Sequence, residues 1–374
     1  MRCLDLLAGP VYAVRSGAAR SVLTSGRILI LRPDHLGDVL LATPAMRAIR
    51  QRFPSAHLAC AIGPWSATAL AGCTYVDELI EIDLPWFCRF PHRTHLRTLS
   101  RSLRAIRRRR FDLAIDFRAD PRSLAILWLS GAPRRVGFAA AGGGFLLTDV
   151  VPYRRVPVVQ QCLDIAAYLG ADTADRQIAL PRHQGRCELA AAIEELPGPR
   201  IVLAPETGSP FHRWSDDRFV RTAQALAGES GGSLLVVGTE DAASLVRALA
   251  AASLPAVSLV GKTPLACLGP VLAACNVVLC VDSVVRHVAA AVGAPAVVIR
   301  AGVNQAELWG RYAPTEIVLT HPVPCSPCGL TTCPYGTRAC IMDVSPKQAA
   351  QAARRLITSD QLSAISGQQP GVSE

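Results

Sequence analysis

Short runs of Val, Ile and Leu recur along the chain and alternate with longer amphipathic stretches. Residues 27–32, 57–62, 78–83, 111–117 and 135–138 read as strands in the first half. Residues 200–205, 233–238, 257–260, 277–281, 296–299 and 316–320 read as strands in the second. Most are apolar at nearly every position rather than at every other one. That pattern means burial on both faces, as in parallel sheets covered by helices. Helices are predicted between them, for example over 45–52, 98–109, 217–228 and 242–251, and a last one over 345–356 with Pro346 near its start. The βαβα order predicts α/β architecture. At about 100–200 residues per domain, the length predicts two domains. Residues 171–200 are polar and carry Pro181, Gly185, Pro197 and Gly198, so the boundary is placed there. The expected division is an extension over 1–26, domains over 27–175 and 176–345, and a helix with a tail over 346–374. No apolar run reaches the ~18 residues of a membrane-spanning helix. The stretch 288–299, for example, is broken by Gly293 and Pro295.

Composition narrows the picture. Half of the residues are hydrophobic and 18% are charged, which excludes a disordered polyampholyte. Lys and Arg together number 39 against 29 acids, a net charge of +10, and Lys262 and Lys347 are the two lysines. The surplus favours anionic partners such as nucleotide phosphates or lipid headgroups. Nine arginines fall in residues 89–110. Arg93, Arg97, Arg101, Arg104 and Arg108 share one helical face, while Leu96, Leu99, Leu103 and Ile106 share another. This helix either meets an anionic membrane or acceptor, or packs on its sheet with solvated arginines outside. Residues 1–22 are a weaker candidate for peripheral contact. No aromatics interleave with the arginines and no nucleic-acid fold signature is present, so nucleic acid is not expected as a partner. No secretion signal is read in residues 1–26, and a reducing, cytoplasmic setting is expected.

Three strand-to-helix junctions hold the candidate chemistry. In RILILRPDHLGDVLLATP, residues 27–44, a buried strand runs into Gly37-Asp38. Ligands bind at the carboxyl ends of strands in open α/β sheets. Asp38 reads either as a helix N-cap or as a catalytic base. Pro44 predicts a helix that starts near it or bends there. There is one Gly here, not the three of a dinucleotide fingerprint, and the chain holds no G-x-x-x-x-G-K-[ST] P-loop. In IVLAPETGSPFHRW, residues 201–214, Thr207, Gly208 and Ser209 offer small donors, and His212 and Arg213 offer charge for a diphosphate. In VVLCVDSVVRHVAAA, residues 277–291, a helix begins after Asp282-Ser283. A helix N-terminus attracts phosphate, and Ser283 adds a hydroxyl. Asp282 suits a sugar hydroxyl or caps the helix. His287 lies one turn in, where a structural role competes with a ligand role.

Thirteen cysteines are present, and Cys60, Cys267, Cys275 and Cys280 read as small buried hydrophobes. Cys325, Cys328, Cys333 and Cys340 lie within sixteen residues. They form a candidate zinc site, a set of structural thiols, or a redox pair.

With these residues in view, the chain resembles glycosyltransferase family 9, the ADP-heptose:lipopolysaccharide heptosyltransferases, over residues 27–356. RPDHLGDVLLATPAMRAIRQRFP, FDLAIDFRADPRSLAILWLSGAPRRVGF, VDSVVRHVAAAVGAP and PCSPCGLTTCPYGTRACIMDVSP carry the resemblance, in the family's order. It implies a GT-B fold, two Rossmann-like domains with parallel sheets facing across a cleft, and a last helix that returns to the N-terminal domain. The N-terminal domain takes the acceptor and the C-terminal domain the nucleotide sugar. It further implies an inverting, metal-independent transfer of heptose from ADP-heptose, with no cofactor required. The implied acceptor is the lipid-linked, anionic inner core of lipopolysaccharide, met at the cytoplasmic face of the inner membrane by a peripheral enzyme.

By the same resemblance Asp38 matches the family's general base. Thr207 and Gly208 fall in its phosphate loop, and His212 falls where a lysine usually meets the phosphates. Glu240 lies near its ribose-binding acid, with Asp241 beside it as the alternative. Thr263 falls where the adenine edge is met, and Asp282, Ser283 and His287 match its donor loop. The chain departs from the pattern at Val284, which replaces a glycine, at His212, and at Glu206, which brings a carboxylate near the phosphate loop. These departures leave two alternatives beside ADP-heptose transfer: a different donor sugar, or a weakened GT-B protein that binds glycan or lipid.

Overall fold

The computed structural model describes residues 26–84, 87, 96–182, 187–230, 232–303, 306–309, 312–330 and 332–366. Arg93 and residues 1–25 of the expected extension lie outside these. The chain divides into two compact units, Met1–Arg182 and His183–Glu374. The expected border at 175/176 differs because the intervening segment is tied to the first unit. The Ala179 amide donates to Thr43 Oγ1 at 2.9 Å, and the Gln177 carbonyl accepts from Arg47 at 2.6 Å.

The first unit runs β1 (Arg27–Arg32), α1 (Leu36–Arg52), β2 (His57–Ile62), β3 (Glu78–Glu81), α2 (Leu96–Arg108), β4 (Leu113–Asp116), α3 (Pro121–Leu129), β5 (Arg134–Gly137), β6 (Asp149–Val150) and α4 (Val158–Tyr168). Its six strands pair in the order β3-β2-β1-β4-β5-β6, every pair parallel. β1 is the central strand, and Ile28 to Leu31 are fully buried, as their unbroken apolarity requires. The two-residue β6 is too short to leave a sequence signal. On α2, Ile106 is buried and Leu99 and Leu103 pack on the same core, while Arg97, Arg101, Arg104 and Arg108 are exposed.

α1 is longer than its pattern suggests. It begins at Leu36, well before Pro44, and passes through the proline. Proline lacks the N–H that would meet the carbonyl one turn back. The Thr43 hydroxyl donates to that carbonyl, Leu40 O, at 2.7 Å, which repairs the ladder and keeps the helix continuous. Gly37 is therefore helical.

The second unit runs α5 (Glu188–Glu194), β7 (Arg200–Ala204), α6 (Asp216–Ser230), β8 (Ser233–Val236), α7 (Ala243–Ala251), β9 (Ala256–Ser258), α8 (Leu265–Ala273), β10 (Val277–Val281), α9 (Val284–Val292), β11 (Ala296–Ile299), α10 (Ala306–Trp309), β12 (Glu316–Leu319), α11 (Ala339–Met342) and α12 (Pro346–Ser366). Its sheet has the order β12-β11-β10-β7-β8-β9, again all parallel. Both orders are Rossmann-like, with the winding reversing beside the first strand of each unit.

Along its described length the last helix packs within the second unit. Ala349, Ala350, Ala353 and Ile357 of α12 join the second unit's own core, and α12 packs on α6, β10 and β11. The stripe of alanines permits this close approach. Cys60 and Cys280 are fully buried in central strands. Burial pushes the Cys60 thiol up to about 12, so it is inert packing. Among the described residues, no helix is long and apolar enough to cross a membrane.

Candidate functional site

In an open α/β sheet the ligand crevice opens where the winding reverses, at the carboxyl ends of the strands. In the first unit that point lies between β1 and β4. Asp38 stands there in the first turn of α1, whose N-cap position is held by His35. The N-cap reading of Asp38 is thereby removed. Its carboxylate gains from the helix dipole instead.

Around it lies a charge network that the sequence reading did not anticipate. Arg32, at the end of β1, is buried and donates through Nε and NH2 to the Asp38 carbonyl at 3.2 and 3.1 Å. Its NH2 is 3.9 Å from Asp38 Oδ1, and its NH1 donates to the Phe117 carbonyl after β4 at 3.0 Å. Arg32 NH1 also lies 3.1 Å from the buried Asp34 carboxylate, whose other oxygen pairs with Arg118. The Arg118 guanidinium stacks on Phe87, 4.1 Å from the ring centroid. One arginine thus ties the loop after β1 to the loop after β4. Asp116, the last residue of β4, is fully buried, and burial pushes its carboxyl up to about 6.

In the second unit the reversal lies between β7 and β10. The loop after β7 holds Thr207, Gly208 and Ser209. Ser209 caps the 3-10 turn Pro210–His212 by accepting from the Phe211 amide at 3.3 Å. A Cβ built on Gly208 would meet open space. His212 does not supply the expected charge: burial holds its pKa below the usual value, against the pull of Asp282. Arg213 is already engaged, with NH2 3.2 Å from Asp216 Oδ1 and 3.0 Å from Ser244 Oγ. Arg338 NH1 donates to the Pro210 and Arg213 carbonyls and fixes this loop from the far side.

After β10, Asp282 and Ser283 lead into α9. Ser283 holds the N-cap position, yet its hydroxyl makes no cap bond and is buried without a partner. His287 is buried too. Its ring meets Tyr312 edge-on at 5.1 Å, its Nδ1 has no partner, and burial pushes it down to about 4. It is neutral at physiological pH. Val284 begins the helix and is not among the residues of positive φ, so replacement of the family's glycine strains nothing in the backbone. Arg286 is fully buried and joins Asp282 to Glu316. An i,i+4 Asp–Arg pair was the available sequence signal. Glu316 sits on a distant strand and had none.

The ends of β7, β8 and β9 gather the remaining candidates. Thr239 Oγ1 donates to Glu206 Oε1 at 2.9 Å, so the unexpected carboxylate is occupied. Glu240 lies beside Gly261, where an added Cβ would come within 3.0 Å of Oε1. The Thr263 hydroxyl donates to Leu259 O at 3.3 Å.

The candidate zinc site is not assembled. Among the described residues, no three His, Cys, Asp or Glu side chains come together as a ligand set. Cys340, in α11, is buried in the core while Cys325 is exposed. The thiols instead line a cavity of about 240 Å³ with Phe211, Val323 and Tyr335. Backbone N–H groups of the turn that follows, that of Arg338 first, hold the Cys333 thiol below its usual pKa.

Comparisons with known proteins bear on the fold and the family. Many solved structures resemble the chain, among them three that cover most of its length. A glycosyl transferase family 9 protein from Veillonella parvula gives a TM-score of 0.71 at 20% identity, covering 89% of this chain and 98% of that one. The ADP-heptose lps heptosyltransferase II of E. coli gives 0.66 at 19%, covering 90% and 99%. The E. coli heptosyltransferase WaaC with ADP gives 0.61 at 18%, covering 91% and 99%. At these identities the likeness speaks for the fold, which is GT-B. No curated protein matches the chain in sequence. The sequence model of glycosyltransferase family 9 (heptosyltransferase) matches residues 99–338, more than half of the chain. From the motifs, the two Rossmann-like units and this match, the chain belongs to glycosyltransferase family 9.

Proposed function

We propose that the protein transfers heptose from ADP-heptose to the inner core of lipopolysaccharide with inversion. The observation that carries the donor half is the β7/β10 edge. There a buried, unpartnered Ser283 hydroxyl stands at the N-terminus of α9, beside the Thr207-Gly208 loop. Free N–H groups and a spare hydroxyl are what a diphosphate needs. The two heptosyltransferase structures that resemble the chain, one of them holding ADP, favour adenine as the base. Glu240 and Thr263 are assigned to the ribose and the adenine edge.

The reaction is a single displacement. Asp38 takes the proton of an acceptor hydroxyl as that oxygen bonds to the anomeric carbon. The bond from that carbon to the diphosphate breaks, and ADP leaves with both electrons. Its charge is met by the dipole of α9, by Ser283 and by the share of Arg213 that Asp216 leaves. His212, neutral in its buried site, serves as a hydrogen-bonding wall rather than a cation. No metal enters this scheme.

For the acceptor we infer an anionic, lipid-linked glycan, reached by peripheral contact at the cytoplasmic face of the inner membrane. The exposed arginines of α2 support that reading through their charge. The test is transfer by purified protein from ADP-heptose to a lipid A-linked inner-core acceptor, in the presence of EDTA. A product gaining one heptose, with ADP released and the anomeric configuration inverted, is expected. Transfer from another nucleotide sugar alone, or tight glycan binding with no turnover, would overturn the proposal.

A further inference from the structure

A diphosphate at the N-terminus of α9 has a near neighbour of its own sign. Asp282 is one residue before the N-cap, and its carboxylate is largely buried. Like charges brought together at a dry site oppose binding strongly. The structure shows what offsets this. Arg286, one turn into α9, sends NH1 to Asp282 Oδ1 at 2.9 Å and to the Trp309 carbonyl at 3.1 Å. Its Nε and NH2 fork onto the Glu316 carboxylate at 2.5 and 3.2 Å. Its face lies over the Tyr312 ring, 4.5 Å from the centroid, and the Tyr312 amide donates to Glu316 Oε2 at 2.7 Å. Burial alone would weaken the cation, but Asp282 and Glu316 outweigh it and hold the guanidinium charged. Glu316 takes the planar fork, so the direction of the remaining NH1 is fixed, and it points at Asp282.

We propose that Arg286 is a positioning residue for the donor: it pairs with Asp282 and holds that carboxylate as a fixed acceptor turned to the guanidinium, so that a nucleoside diphosphate can bind at the N-terminus of α9. Glu316 holds Arg286 in that pose. The inference rests on the donor reading above.

Removing Arg286 alone would leave two buried carboxylates unpaired and put the fold at risk. The test therefore starts from Arg286→Met with Glu316→Gln, which deletes one charge of each sign and leaves Asp282 alone. A second chain adds Asp282→Asn to that pair. A third carries Arg286→Lys alone, which keeps the cation. Titration calorimetry on the full chains uses ADP, UDP, GDP and dTDP, each beside its nucleoside. The double variant is expected to bind the diphosphate at least ~10-fold more weakly while the nucleoside changes by less than ~3-fold. Adding Asp282→Asn is expected to restore most of the loss, and Arg286→Lys to keep most of the affinity.

Equal losses for diphosphate and nucleoside would overturn the inference. So would a triple variant that recovers nothing, or a Lys variant as weak as the Met one. Any of these, in a protein whose unmodified chain binds a diphosphate, leaves the donor reading standing. Failure of the unmodified chain to bind any of the four diphosphates would sink both.

Discussion

The two units share a topology and differ in how they treat charge at the same point of it. In each, a six-stranded parallel sheet reverses its winding beside its first strand, and polar residues collect on the loops at that edge. In the first unit those residues are closed in ion pairs, with Arg32 and Arg118 clamping Asp34 and Arg32 holding the backbone of Asp38. In the second, one guanidinium, that of Arg286, ties Asp282 and Glu316 together inside the wall, while Ser283 Oγ and His287 Nδ1 are left unpartnered. Ion pairs hold a carboxylate still, whereas an unpartnered hydroxyl at a helix N-terminus is open to a ligand. The same fold thus presents a positioned base in one half and an anion cradle in the other, set by a few loop residues.

Breaking the wall of the second unit should have the largest effect. Glu316→Ala leaves Arg286 with one carboxylate in a dry site, and should cost about 3–5 kcal/mol of stability in denaturant unfolding. A loss below about 1 kcal/mol would show that the buried ion pair is not the structural tie described.

The next test sets the two units against each other through pH. His287 has a folded pKa of about 4, below its unfolded value of 6.5. The unfolded chain therefore binds an extra proton between those values. His287 makes stability rise with pH across that window and fall as the protein is acidified through it. Asp116 has a folded pKa of about 6, above its unfolded value of 3.8. Here the folded chain binds the extra proton, and stability falls as pH rises from 3.8 to 6. Each contributes a slope of at most ~1.4 kcal/mol per pH unit, with opposite signs. His287→Gln should flatten the acid loss and Asp116→Asn should steepen it, measured by urea unfolding between pH 4 and 7. Matching effects of the two substitutions would contradict the assignments.

Ser283→Ala should weaken ADP by about 1.5–3 kcal/mol, the scale of a hydrogen bond to a charged group, and leave adenosine unchanged in calorimetry. An equal loss for both would place the hydroxyl away from phosphate. The smallest effect is expected at Arg101→Gln on α2. Folding stability should stay within about 0.5 kcal/mol. Partitioning onto vesicles of anionic lipid should fall by about 1 kcal/mol, and not at all on neutral vesicles.

The fold was largely legible because its strands are buried on both faces. β1, β2, β7, β10 and β11 stand where their apolar runs placed them. The start of α1 was hidden by Pro44, since the hydroxyl that repairs the ladder leaves no mark in the pattern. The partners of α12 were hidden as well, because an alanine stripe says that a helix packs closely but not on what. In the site, Asp38, Ser283 and the Thr207-Gly208 loop were visible as junctions between strand and helix. His212 and Arg213 were read as charges, and tertiary surroundings changed both: burial neutralises the first and Asp216 engages the second. The pairing of Asp34 with Arg118, and of Arg286 with Glu316, joins side chains that only the fold brings together.

The account stands most directly on Asp38. Steady-state transfer from ADP-heptose to an inner-core acceptor, compared between the unmodified chain and Asp38→Asn with ADP binding measured in parallel, tests it. Loss of general-base help should lower kcat by about 10²–10⁴ while the dissociation constant for ADP is unchanged. Turnover that survives the substitution, or ADP binding that fails together with kcat, would contradict the role given to this carboxylate.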